Sequence, residues 1–214
     1  MSFENEAIKA IIEHFNAKQQ QVADVLAGPR REGWFNAESF VALNAISTCD
    51  TFTVYGEQCY SNIPECLTSR RIPDLVGYVS EKKVAFLIEA KLLFRRDNET
   101  KRRKLLHRLV TQLQEGKQRC PKVPVVGLLH LACLSSDPTN HKRKGANRKV
   151  EAGVRITPDR FCKKIAGEIE AELKEFNPVW LQSPRMLTQQ DTGQPTSFAY
   201  PSVHVWFGIG AIAI

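Results

Sequence analysis

From residue 4 to residue 26 the apolar positions Ala7, Ile8, Ile11, Ile12, Phe15, Val22, Val25 and Leu26 recur at intervals of three, four and seven, one face of an α-helix. The stretch AGPRREG stops that helix. Asn36 stands where it can cap a second one over AESFVALNAI, which ends before the β-rich TFTVYGEQCY. A turn-rich connector, SNIPECLTS, leads to two apolar runs around a polar turn, RIPDLVGYVSEKKVAFLIEAKLLF, the pattern of a β-hairpin. Beyond it, RRDNETKRRKLLHRLVTQLQEGKQR is basic and then helical, with Leu105, Leu106, Leu109, Val110 and Leu113 as its core stripe.

VPVVGLLHLACL is nearly continuous in apolar residues and bounded by Pro and Ser, which predicts a strand covered on both faces. The polar loop SSDPTNHKRKGANRKVEAG follows, then a helix over residues 158–176 with Pro158 in its first turn. The remaining tail reads as loops and one or two strands. Its apolar end, FGIGAIAI, is either a buried strand or a dimer seam. This order of elements predicts an α/β fold, a mixed central β-sheet flanked by helices. With no internal repeat and 214 residues, residues 1–214 are expected to form a single domain. Within it, 1–30 is the N-terminal helix and 150–214 the C-terminal helix and strands.

The hairpin carries charges that a buried sheet does not favour: Asp74, Glu89 and Lys91. A turn at Ser80-Glu81-Lys82-Lys83 pairs the strands so that Asp74 falls opposite Glu89, and side-chain alternation puts Lys91 on the face of Glu89. Opposed carboxylates repel unless a positive charge lies between them. A hard divalent cation takes one or two carboxylates plus waters and phosphate oxygens, with the Ala90 carbonyl as a further oxygen. A structural ion pair to Lys91 is the alternative.

Pro73-Asp74, fourteen residues, then Glu89-Ala90-Lys91 resembles the PD-(D/E)xK nuclease superfamily. The resemblance covers residues 36–134, the motif-bearing core, and implies a restriction-endonuclease-like core with the motif on its hairpin. It implies that Asp74 and Glu89 hold Mg²⁺, or Mn²⁺ as a substitute, and that Lys91 positions the attacking water. It further implies an upstream Glu, for which Glu38 is the candidate with Glu32 competing, and a downstream Gln, for which Gln112 is the candidate with Gln114 competing. No Tyr follows Gln112, a departure from the recombination-nuclease branch. The implied activity is metal-dependent endonucleolytic hydrolysis of DNA phosphodiesters. The alternatives are a non-catalytic nucleic-acid-binding or interaction module on the same fold, or an RNA-directed nuclease.

Charge bears on the partner. The formal net charge is +7, and Arg95, Arg96, Lys101, Arg102, Arg103, Lys104 and Arg108 begin four residues after Lys91. A second basic group, Lys142, Arg143, Lys144, Arg148 and Lys149, lies in the loop HKRKGANRK. Both are candidate phosphate contacts, with double-stranded DNA the expected partner. Cutting both strands of a duplex suggests a homodimer. His130, inside an apolar strand, is expected to be a satisfied core residue, and no nucleophile elbow or phosphate-cradling Gly-rich loop is present. MSFENEAIKA lacks the features of a secretory signal and no apolar run is long enough to span a bilayer, so a cytoplasmic protein without a membrane is expected. The six cysteines are expected to be reduced, and Cys49, Cys59 and Cys66 lack a zinc knuckle.

Overall fold

The computed structural model describes residues 2–27, 32–47, 53–56, 63, 73–80, 83–94, 99–136, 157–192 and 203–214. The N-terminal periodicity folds as two helices, α1 (Phe3–Ala17) and α2 (Gln19–Ala27), not one. They part at Lys18, whose backbone N–H bonds to the Phe15 carbonyl. The break falls in the polar stretch NAKQQQ, where no large apolar residue anchors the helix between Phe15 and Val22.

Helix α3 (Glu32–Ile46) starts one turn before the expected cap, so Asn36 lies within it. Strands β1 (Thr53–Gly56), β2 (Leu75–Ser80) and β3 (Lys83–Phe94) follow. Helix α4 (Glu99–Arg119) then crosses over to β4 (Val125–Ser136). Helix α5 (Pro158–Leu173) has Pro158 in its first turn, and Thr157 Oγ1 accepts from the Arg160 N–H as its cap. A 3-10 turn, Lys174–Phe176, ends on Asn177 at φ 48°, and a final pair of strands, β5 (Val179–Thr192) and β6 (Val203–Ala213), completes the order.

The six-stranded sheet has the order β1-β2-β3-β4-β6-β5. Among the described strands only β3 and β4 pair in parallel, through the α4 crossover; the other pairings are antiparallel. The domain is therefore α/β with a mixed sheet, as the element order implied. FGIGAIAI is a strand of this sheet, with β4 on one side and β5 on the other. Alternation along the central strands divides the core. Ile88, Ala90, Leu92, Val126, Leu128 and Phe207 pack with α1, α2 and α3. Leu87, Leu93, Leu129 and Leu131 pack with α4 and α5. Among the described residues no helix is long and apolar enough to cross a membrane.

Cys120, after the end of α4, is disulfide-bonded, which corrects the expectation of reduced thiols. Cys133 and Cys162 are buried and belong to no disulfide, and Cys49, Cys59 and Cys66 lie outside the described residues. Disulfides depend on Cα approach in space, and irregular spacing along a chain does not report it.

His130 is 1% exposed and lies among the rings of Phe15, Phe35 and Phe207. Its Nε2 is 3.4 Å from Ser39 Oγ, which itself donates to the Phe35 carbonyl at 2.8 Å, so the ring nitrogen is the donor to Ser39. Nδ1 is buried without a hydrogen bond, so the core residue expected from the sequence is only half satisfied. Burial pushes its pKa down from 6.5 to about 3, and the folded protein holds the ring neutral. The unfolded chain therefore binds a proton that the folded one refuses, and stability present above pH 6.5 is lost as the pH falls toward 3. In urea melts, wild type should lose about 2 kcal/mol relative to His130→Leu between pH ~6.5 and ~5, at about 1.4 kcal/mol per pH unit. Parallel pH dependences for the two proteins would refute the assignment.

Candidate functional site

The hairpin register is Leu75↔Ile88, Val76↔Leu87 and Gly77↔Phe86, and after two compensating irregularities around Tyr78 it closes at Ser80↔Lys83. Gly77 is required because a Cβ there would collide with the Phe86 ring. Extending the register by one residue brings Asp74 opposite Glu89. Strand β2 itself begins only at Leu75, behind Pro73, which has no N–H to continue the ladder. Past Ile88, β3 has no β2 neighbour among the described residues.

The side chains meet at that edge. Asp74 Oδ2 accepts from the Ala90 N–H at 2.7 Å, in the role that a strand carbonyl plays along the ladder. Asp74 Oδ1 accepts from Asn36 Nδ2 of α3 at 3.3 Å. Glu89, 3% exposed, accepts from Gln112 Nε2 of α4 at 2.7 Å. The two carboxylates are thus engaged by donors from opposite faces of the sheet. Lys91, 7% exposed, donates to the Ala90 carbonyl at 2.8 Å and reaches Glu32 Oε1 at 3.4 Å.

Of the residues singled out in the sequence, Asp74, Glu89, Ala90, Lys91 and Gln112 come together. Gln114 sits about 200° around α4 from Gln112, on another side of the helix. Glu38 takes a different place: its Oε2 is bound by His14 Nε2 at 2.6 Å and Lys18 Nζ at 2.7 Å, both from the α1 region. Glu32 is the α3 carboxylate that reaches Lys91. Glu32 and Asn36 are four apart and share a face, whereas Glu38, six residues from Glu32, is turned some 120° away. Asn36 does not cap α3, because the helix starts at Glu32 and the Asn36 amide is spent on Asp74. Starting α3 one turn earlier in the sequence would have placed Glu32 and Asn36 together.

The basic run is divided. Arg103 pairs with Glu99 at 2.8 Å, and Glu99 also meets Lys164 of α5 at 3.5 Å. Attraction by Lys164, then by Arg103, holds the Glu99 carboxyl below its ordinary value. His107 faces Glu172 of α5 at 3.5 Å. Lys104 and Arg108 are exposed and form no ion pair with a described residue. They stand eight and four residues before Gln112, on one line along the helix. Lys101 is exposed and Arg102 half-buried in the first turns of α4. Arg95, Arg96, Lys142, Arg143, Lys144, Arg148 and Lys149 lie outside the described residues.

Among the described residues no group of three or more His, Cys, Asp or Glu is gathered as a metal cluster. The donor set that is present, two carboxylates with carboxamides beside them, is all oxygen on its accepting side and suits a hard divalent cation that keeps waters and takes substrate oxygens. Two of those oxygens, Asn36 Oδ1 and Gln112 Oε1, are buried without a hydrogen bond. No family model, curated protein or solved structure matches this chain.

Burial raises the Glu38 carboxyl, but hydrogen bonds from Lys18 and His14 with their charges outweigh it and hold the pKa below 4.5. Its contribution to stability is present above that pH and lost as the carboxylate protonates below it. Glu38→Gln should cost about 1 kcal/mol near neutral pH in urea melts. The difference from wild type should close as the pH falls through 4.5. A difference that persists in acid would mean that Glu38 acts through packing.

Proposed function

We propose that this chain is a metal-dependent nuclease with a restriction-endonuclease-like core, hydrolysing phosphodiester bonds in DNA at Asp74, Glu89 and Lys91. One observation carries the reading: the two halves of the Pro73-Asp74 and Glu89-Ala90-Lys91 pattern meet at the β2 side of β3, with Gln112 on Glu89. Asp74 and Glu89 would hold Mg²⁺ or Mn²⁺. When bound, the ion would supply Lewis acidity toward a phosphate oxygen and lower the pKa of a water.

The chain's own groups have separable tasks. Asn36 and the Ala90 N–H fix Asp74, and Gln112 fixes Glu89, so neither carboxylate has to reorganise to meet a cation. Lys91, held beside them by the Ala90 carbonyl and Glu32, is the group to orient the attacking water and offset charge on the phosphate. Lys104 and Arg108 extend the site as phosphate contacts along α4.

A second reading, a binding module on the same fold, has its own support. Both Asp74 oxygens and the Ala90 carbonyl already have protein donors, an arrangement that a purely structural network would also adopt. Purified protein incubated with supercoiled plasmid, linear DNA and RNA in EDTA, Mg²⁺ or Mn²⁺ separates the readings. Cleavage of DNA should require metal. It should fall at least about 100-fold in Asp74→Asn, Glu89→Gln and Lys91→Ala, the scale of losing one group that stabilises transition-state charge. Circular dichroism melts should show all three variants folded. DNA binding without cleavage in every metal would favour the binding module, and preferential cutting of RNA would move the substrate.

A further inference from the structure

On the α3 side of Asp74 lies a cavity of about 240 Å³, lined by Gly33, Asn36, Ala37, Phe40, Asp74 and Leu75, with Gly56 at the end of β1. It is far larger than the ~30 Å³ share of a water and below the ~300 Å³ at which sites for drug-sized ligands begin. A single ring system is the matching occupant. A Cβ built on Gly33 would meet nothing within 4 Å, so this wall is open.

The lining defines the chemistry of the occupant. Among the described residues it contains one aromatic ring, Phe40, aliphatic surface from Leu75 and Ala37, and no Lys, Arg or His, a lining that favours a neutral or amine-bearing occupant over an anion such as a phosphate. The polar groups on the wall are the Asp74 carboxylate and the Asn36 carboxamide. A carboxylate accepts from an amine, and an Asn amide pairs with the edge of a base. Asp74 is shared with the proposed phosphate-cleaving site, so whatever fills the cavity lies directly beside the reacting group.

We propose that this cavity receives one unstacked nucleobase, presenting an exocyclic amine, from the nucleotide next to the phosphate at Asp74. The inference rests on the nuclease reading for its choice of ligand. The base would lie against Phe40 and Leu75 with its amine toward Asp74 and Asn36. A mismatched or unpaired position would enter most readily, because less pairing energy is lost on extrusion. Substrates with a distorted or single-stranded position near the cut are accordingly the preferred class.

The test uses wild type, Ala37→Leu and Gly33→Leu, which narrow the cavity without altering Asp74, Glu89 or Lys91. Duplexes carrying one 2-aminopurine opposite a mismatched base, scanned position by position, are titrated in EDTA, where metal-dependent cleavage is silent. Wild type should raise the fluorescence at a single position as the base leaves the stack. The two variants should abolish that rise and weaken binding of the mismatched duplex about tenfold, the order of one lost base-stacking contact. Uniform fluorescence at every position, or variants that keep the rise, would overturn the base site. Mg²⁺-dependent cutting by a protein with no such rise would leave the nuclease reading intact while removing this one. A position-specific rise in a protein that never cuts would do the reverse, and failure to bind any nucleic acid would remove both.

Discussion

The hydrogen bond from the Ala90 N–H to Asp74 Oδ2 is the contact on which the rest of this edge depends. Strand β3 extends past the start of β2, and each backbone N–H it leaves inside the fold must find an acceptor or forfeit the desolvation cost of an unpaired amide. A backbone carbonyl would have served. The chain supplies a carboxylate, and so carries a negative charge to the margin of a sheet whose central strands are otherwise almost wholly apolar. That charge is tolerable because donors on β3 and on α3 both reach Asp74. Glu89 is stabilised separately from α4. Lys91 completes the group with a cation between the Ala90 carbonyl and Glu32.

Topology explains why donors from both faces converge there. The parallel pairing of β3 with β4 needs a crossover, and α4 provides it on one face, which presents Gln112 to Glu89. The α1–α3 layer covers the other face, and α3 lies near enough to the start of β2 for Asn36 to reach Asp74. The same crossover sets the N-terminal turns of α4 beyond the end of β3. Part of the basic run is there committed to joining α4 to α5 through Glu99 and Lys164, while Lys104 and Arg108 remain exposed in line with Gln112.

Much of this was legible in the chain because it follows from period. The two apolar runs around the polar turn at Ser80–Lys83 gave the hairpin and its register near Asp74, and the helical period from Leu105 to Leu113 gave α4 and hence Gln112. The mixed sheet followed from the order of elements. What period could not supply was phase near an element's end. Asn36 is a favoured N-cap residue, and reading it so started α3 a turn late, which made Glu38 look like the carboxylate nearest the site. A single turn of helix changes which residues share a face, and Glu32 replaces Glu38 beside Lys91. The disulfide at Cys120 was hidden, since it depends on an approach in space that spacing along the chain does not report.

The displaced Glu38 also shows how the layer behind the site is fixed. Its carboxylate gathers His14 and Lys18, so that α3 is tied to the junction where α1 ends and α2 begins. Ser39, the next residue, turns toward His130 of β4, and Phe35, one turn back, packs against Phe15, His130 and Phe207. Helix α3 is consequently held on two sides, by charge toward α1 and by aromatic packing toward the sheet. Its remaining side carries Glu32 and Asn36 to the edge of β3. A helix secured in this way can present a weak propensity residue such as Asn36 in its interior, because packing rather than intrinsic preference decides that it is helical. The geometry around Asp74 then inherits the rigidity of the core behind it, which is what a site needs if its carboxylates are to meet a ligand without rearranging.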